Sequence, residues 1–180
     1  PRELNRRLTR LAQGAGLEAQ DLPLKLYSRV GVRFTQAGAQ QLVLALRAEN
    51  FLPQVVIIEA LVRVLEGDEN LAADVARFWS VLEILSRSGI TVIISHHMNK
   101  PPEDGKRSLR YRARGSVDIL AGADSAMGIE IVQEGVTSRV VPIKSRSARL
   151  TRPFALALED EGEDGPARLV LPSHVSKAPT

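Results

Sequence analysis

The chain has 180 residues, 44% hydrophobic and 25% charged, enough for one soluble domain with a buried core. It holds no cysteine, which excludes disulfides and thiolate metal sites and suits a reducing, cytoplasmic setting. The net charge of +3 suits an acidic partner, while no apolar run reaches the ~18–20 residues of a membrane span and no secretory signal is present.

Pro1 rather than Met opens the chain, so a processed, trimmed or incomplete protein is expected. Pro1–Gly16 carries Leu4, Leu8 and Leu11 at helical spacing among Arg2, Arg6, Arg7 and Arg10, and Gly14 and Gly16 stop it. The arginines read either as a solvated face or as a contact for nucleic acid. Leu22–Arg29 alternates Leu22, Leu24 and Leu26 with Pro23 and Lys25, a short strand. Thr35 is placed to cap a helix through Arg47 with Leu42, Val43 and Leu46 inside. Gln54–Glu59 is a run of Val and Ile closed by a carboxylate, the pattern of a strand buried on both faces. Leu61–Asn70 is a connector broken by Gly67, with Asp68 or Asn70 to cap the next helix. Leu71–Ser88 then places Val75, Phe78, Trp79, Leu82 and Leu85 on one helical stripe.

Ile90–Ser95 is a second buried strand, and the spacing predicts a right-handed strand–helix–strand unit with the two strands parallel and adjacent. Ligands of such sheets gather at the carboxyl ends of the strands. Here those ends carry Glu59 and Ser95–His96–His97. Neighbouring strand residues point to opposite faces, so the two histidines are expected to do different work, and a zinc site on the pair is not expected. Glu59 reads either as a strand-end carboxylate capping a neighbouring helix or as a group that orients a metal-bound water or takes a proton.

Met98–Arg114 has two prolines, a glycine and Lys100, Lys106, Arg107, Arg110, Arg112 and Arg114 against Glu103 and Asp104. It reads as a mobile basic loop leaving the ligand edge. A short helix at Ser116–Ala123 follows. Four strands close the chain: Ser125–Val132, Ser138–Lys144, Pro153–Leu158 and Arg168–Leu171. One domain over residues 1–172 and a tail over 173–180 are expected.

The stretches VVIIEALVRVLEGDEN, ITVIISHHMNK, RARGSVDILAGAD and VVPIKSRSARLTRPF, in this order, resemble the RecA-like P-loop ATPases, specifically the RepA-type and DnaB-type branch of hexameric replicative helicases. The resemblance implies an α/β, RecA-like three-layer fold with a mainly parallel sheet and a C-terminal antiparallel β extension. It implies ATP and Mg²⁺ as cofactors, single-stranded nucleic acid as partner, DNA above all, and a homo-oligomer, hexameric in the parent. Glu59 then matches the Walker B acid and would hold Mg²⁺ through water. His96 matches the γ-phosphate sensor and His97 its companion. Lys144 and Arg146 match the pair that acts on a neighbouring subunit's nucleotide. Arg114 matches the arginine of the RGS segment beside the nucleotide, and Lys100, Lys106, Arg107, Arg110 and Arg112 lie in the nucleic-acid loop. Two departures stand out. The acid is Glu59 where the family has Asp, and no G-x-x-x-x-G-K-[ST] occurs in residues 1–180. The resemblance therefore implies an ATPase or DNA helicase for a complete parent, and no turnover from these residues alone. The alternative is a non-catalytic RecA-like module that binds nucleic acid or protein.

Overall fold

The computed structural model of the protein describes residues 2–27, 33–100, 108–133 and 136–172. They gather into two compact units, one drawn from residues 30–124 and the other from both ends of the chain, 1–29 and 125–180.

Helix α1, Arg2–Gly14, belongs to the unit made from the chain ends. The 30–124 unit begins with helix α2, Gln36–Ala48. Thr35 caps α2 as expected: its side-chain oxygen accepts from the Gly38 N–H at 3.0 Å. Strand β1, Val55–Ile58, leads to a one-turn helix α3, Leu61–Val64, within the stretch read as a plain connector. Helix α4, Ala72–Arg87, and strand β2, Thr91–Ile94, complete the crossover. The strands are parallel and in register, Val55 opposite Thr91 through Ile58 opposite Ile94, which is the predicted pairing. The short helix α5, Asp118–Gly122, follows.

Side-chain alternation sorts the two strands cleanly. Val56, Ile58, Val92 and Ile94 pack on a core built from Val43, Leu61, Leu65, Val75, Phe78, Leu82, Leu85, Ile90 and Ile119. Val55, Ile57, Thr91 and Ile93 form the opposite face, where Ile57 is 69% and Ile93 51% exposed. Burial on both faces was the expectation, and the structure corrects it. The helices of this unit share a single core, so they cover one face and leave the other bare. The described residues thus show a mixed α/β unit with one helix layer. Trp79 lies at the edge of this core and its indole N–H donates to the Asp118 carbonyl at 3.1 Å, tying α4 to α5.

Neither Asp68 nor Asn70 caps α4, contrary to the expectation from the sequence. Asp68 instead accepts from the Asn70 backbone N–H at 2.9 Å and its amide at 2.7 Å, and these bonds hold its carboxyl below the usual range. An Asx-type turn has taken the acceptor that a cap would have used.

In the other unit, β3 (Ser125–Gln133), β4 (Thr137–Ser145), β5 (Phe154–Asp160) and β6 (Ala167–Val170) form an antiparallel sheet in sequence order. All four were legible as strands. Helix α1 packs against β6 in this unit. Arg6, Arg7 and Arg10 of this helix are tied down by acids and carbonyls. Arg6 and Arg7 pair with Glu3 at 3.0 and 2.7 Å, and Arg10 pairs with Asp160 and donates to the Gly165 carbonyl at 2.7 Å. Leu22–Tyr27 is not a strand; residues 28 and 29 of that expected element lie outside the described residues. Pro23 has no N–H to give a ladder. The expected tail, 173–180, lies outside the described residues as well.

Candidate functional site

The parallel ladder runs past its last paired residues and fixes where the strand ends meet. Ser95 N–H donates to the Ile58 carbonyl at 3.0 Å, and Leu61 N–H donates to the Ser95 carbonyl at 3.0 Å. Ser95 is therefore bracketed by the residues on either side of Glu59 and Ala60. The exposed Glu59 and the exposed Ser95 share one edge of the sheet, as the strand assignments required. The Glu59–Ala60 peptide is cis.

The two histidines part, as the strand period predicted. His96 is half-buried and its Nε2 lies 2.6 Å from the Arg114 carbonyl oxygen. A carbonyl only accepts, so that nitrogen carries a proton. Its Nδ1 is buried and has no hydrogen-bond partner among the described residues. His97 is exposed, and its carbonyl accepts from the Arg114 N–H at 3.1 Å.

These bonds belong to a short antiparallel pairing that the sequence did not reveal. Met98 bridges Ala113, and Asn99 N–H donates to the Arg112 carbonyl at 2.7 Å. The basic stretch is thus pinned at both ends, next to the histidines, and Leu109–Tyr111 makes a 3-10 turn. Lys100 is exposed, and Arg112 Nε donates to the Asn99 carbonyl at 3.4 Å. Lys106, Arg107 and the Arg110 side chain lie outside the described residues.

Arg114 does more than the sequence indicated. Its Nε lies 2.6 Å from Oε1 of Glu69, whose side chain is 5% exposed. The two form an ion pair, yet neither Glu69 oxygen accepts a well-aligned hydrogen bond among the described residues. Ser116 N–H donates to the Glu69 carbonyl at 2.8 Å. Gly115 sits between them at φ +83°, and a Cβ there would come within 2.6 Å of that same carbonyl oxygen. Glycine is needed at this position for both reasons. Glu69 was read only as part of an acidic connector. Its one sequence signal is that it stands between Asp68 and Asn70 just ahead of an apolar helix; nothing linear points to Arg114, far along the chain.

Lys144 lies on β4, opposite Ala126, and Arg146 follows the strand's end in a turn where Ala148 N–H donates to Ser145 Oγ at 3.1 Å. Both belong to the antiparallel unit, whereas Glu59, His96, His97 and Arg114 belong to the parallel one.

A carboxylate, a hydroxyl and an imidazole thus lie at the carboxyl edge of the parallel pair, the edge at which ligands of open α/β sheets gather. A family model described as an AAA domain matches residues 1–103, more than half of the chain, and the chain belongs to that family. It is an ATPase-like, nucleotide-binding type of module, a type that in general uses nucleotide with Mg²⁺. No curated protein matches the chain. The residues fit such ligands in part. Mg²⁺ is commonly held by one or two carboxylates with waters and phosphate oxygens, and Glu59 is an exposed carboxylate at this edge. No cluster of three or more acidic or histidine side chains is present among the described residues, so the protein share of such a site is small. The G-x-x-x-x-G-K-[ST] pattern that builds the backbone cradle of a P-loop does not occur in residues 1–180. No helix among the described residues is long and apolar enough to cross a membrane.

Proposed function

We propose that this chain carries the metal-and-sensor edge of an ATPase domain that acts on single-stranded nucleic acid, of the RepA-type and DnaB-type helicase branch. The observation that supports it most is the parallel β1–β2 pair, which brings Glu59 and Ser95–His97 to one edge with the basic segment rooted beside them. In this reading Glu59 orients Mg²⁺ through water, His97 and His96 stand on the γ-phosphate side, and Arg114 braces them. Lys144 and Arg146 act on a neighbouring subunit's nucleotide in a homo-oligomer, hexameric in the parent. Lys100, Lys106, Arg107, Arg110 and Arg112 contact nucleic-acid phosphates.

A second reading has its own support. Glu59 in place of the usual Asp and the lack of a G-x-x-x-x-G-K-[ST] in these residues favour a module that binds nucleic acid without turning over ATP. Both readings share the basic segment, and one titration tests it. Anisotropy of a labelled single-stranded oligonucleotide is measured at several salt concentrations for wild type and for Lys106→Ala/Arg107→Ala/Arg110→Ala. The variant is expected to bind more weakly, with a salt slope flatter by about 0.7 for each single-strand phosphate it no longer neutralises. Tyr111 is the one aromatic in the segment, so base stacking adds little and sequence preference is low. Equal affinity and slope for the two proteins would end the nucleic-acid assignment.

A further inference from the structure

Glu69 is the buried charged side chain of the described residues, and burying a carboxylate without full compensation is costly. Its placement is explained by the groups it holds. Arg114 Nε meets it at 2.6 Å, Ser116 N–H binds its carbonyl at 2.8 Å, and Gly115 lets the two backbones touch. On the far side of the same short segment, Arg114 uses its N–H on the His97 carbonyl and its own carbonyl on His96 Nε2. One clamp therefore runs from a carboxylate between α3 and α4 to the end of β2.

We propose that Glu69 is a positioning residue, acting through Arg114 to lock His96 with its proton on Nε2, so that His97 is the histidine left to meet a phosphate. The chemistry is one of donors. His96 spends its Nε2–H on the Arg114 carbonyl, and its Nδ1 is enclosed with no partner among the described residues. In its neutral form that nitrogen is a bare acceptor, and a phosphate oxygen needs a donor. Exposed His97 supplies one. Glu69 reaches neither the phosphate nor the ring; it fixes the guanidinium whose main chain holds the ring. The role of His97 rests on the nucleotide reading above, whereas the clamp on His96 stands without it.

The test uses the full chain with ¹⁵N-labelled histidine. Long-range proton–nitrogen spectra, assigned with single His→Gln variants, report which ring nitrogen carries the proton. Wild-type His96 is expected as a single Nε2–H tautomer. In Glu69→Gln the ion pair is gone, and His96 is expected to become a mixture of both tautomers while backbone signals of β1 and α4 stay in place. If Glu69→Gln does not fold, Arg114→Ala removes the other partner from its more exposed side, leaving no internal void, and is expected to do the same. A wild-type His96 carrying its proton on Nδ1 overturns the proposal. So does a His96 tautomer that is unmoved in a folded variant. Adding inorganic triphosphate with Mg²⁺ is expected to shift the His97 ring and spare His96. The reverse pattern overturns the His97 assignment. If neither ring moves, both that assignment and the nucleotide reading fall, while the ligand-free tautomers still decide the clamp.

Discussion

Thr35 Oγ1 accepts the Gly38 N–H, so Thr35→Ala leaves an orphan donor in the first turn of α2 and should cost about 1 kcal/mol by denaturant unfolding. Glu69 and Arg114 form a stronger couple. Arg114→Ala strands a buried carboxylate and should destabilise the chain by about 1–3 kcal/mol, discounted because the guanidinium is 56% exposed. Adding Glu69→Gln to that variant should recover part of the loss, since an amide is cheaper to bury than an ion. A double-mutant cycle with no coupling would show that the pair contributes nothing. At this scale the sequence was informative where chemistry is local. Thr35, Glu59, His96 and His97 were all found at positions set by the strand and helix periods. The partner of Arg114 was not, because an ion pair across such a separation leaves no periodic trace, and Glu69 looks in sequence like any solvated acid.

Helix α4 is the element on which the parallel unit is built. Val75, Phe78, Leu82 and Leu85 are buried on one stripe, as their spacing required, and Leu85→Ala should cost about 2–5 kcal/mol in a thermal or denaturant melt. Helix α1 carries a pH dependence of definite sign. Hydrogen bonds from Arg6, then Arg7, lower the Glu3 carboxyl from 4.5 to about 2. A lowered carboxyl contributes its stabilisation in full above the unfolded value, and loses it as the pH falls towards the folded one. Helix content should therefore fall between about pH 4.5 and pH 2 more in wild type than in Glu3→Gln; because these side chains lie at the solvent-screened surface, the difference should be small. Equal acid titration of the two proteins would contradict it. The elements themselves were readable wherever the apolar period was sustained, from α2 and α4 to the six strands of the described residues. Leu22–Tyr27 failed because alternation alone does not supply a neighbouring strand, and α3 was missed because a single turn is shorter than the period that would reveal it. The pairing of 98–99 with 112–113 was hidden in a segment without apolar pattern, where backbone bonds rather than side chains hold the two stretches together.

On the scale of the whole molecule, two sheets of different kinds divide the chain. The parallel pair faces one core and presents Val55, Ile57 and Ile93 on its other side, so its sequence reads as doubly buried although one face is bare. Composition reports what a strand prefers, not which layers surround it. The edge that Glu59 and Ser95 share was legible because it derives from topology: two parallel strands, however short, end together. Its occupant is the central claim, and a titration of the ¹⁵N-labelled chain with Mg²⁺·ATP tests it most directly. Amide shifts should cluster at Glu59, Ser95 and His97 and saturate weakly, on the order of millimolar, since no G-x-x-x-x-G-K-[ST] occurs in these residues. Shifts confined to other parts of the chain, or none at that edge at saturating nucleotide, would contradict the assignment of this edge to a nucleotide.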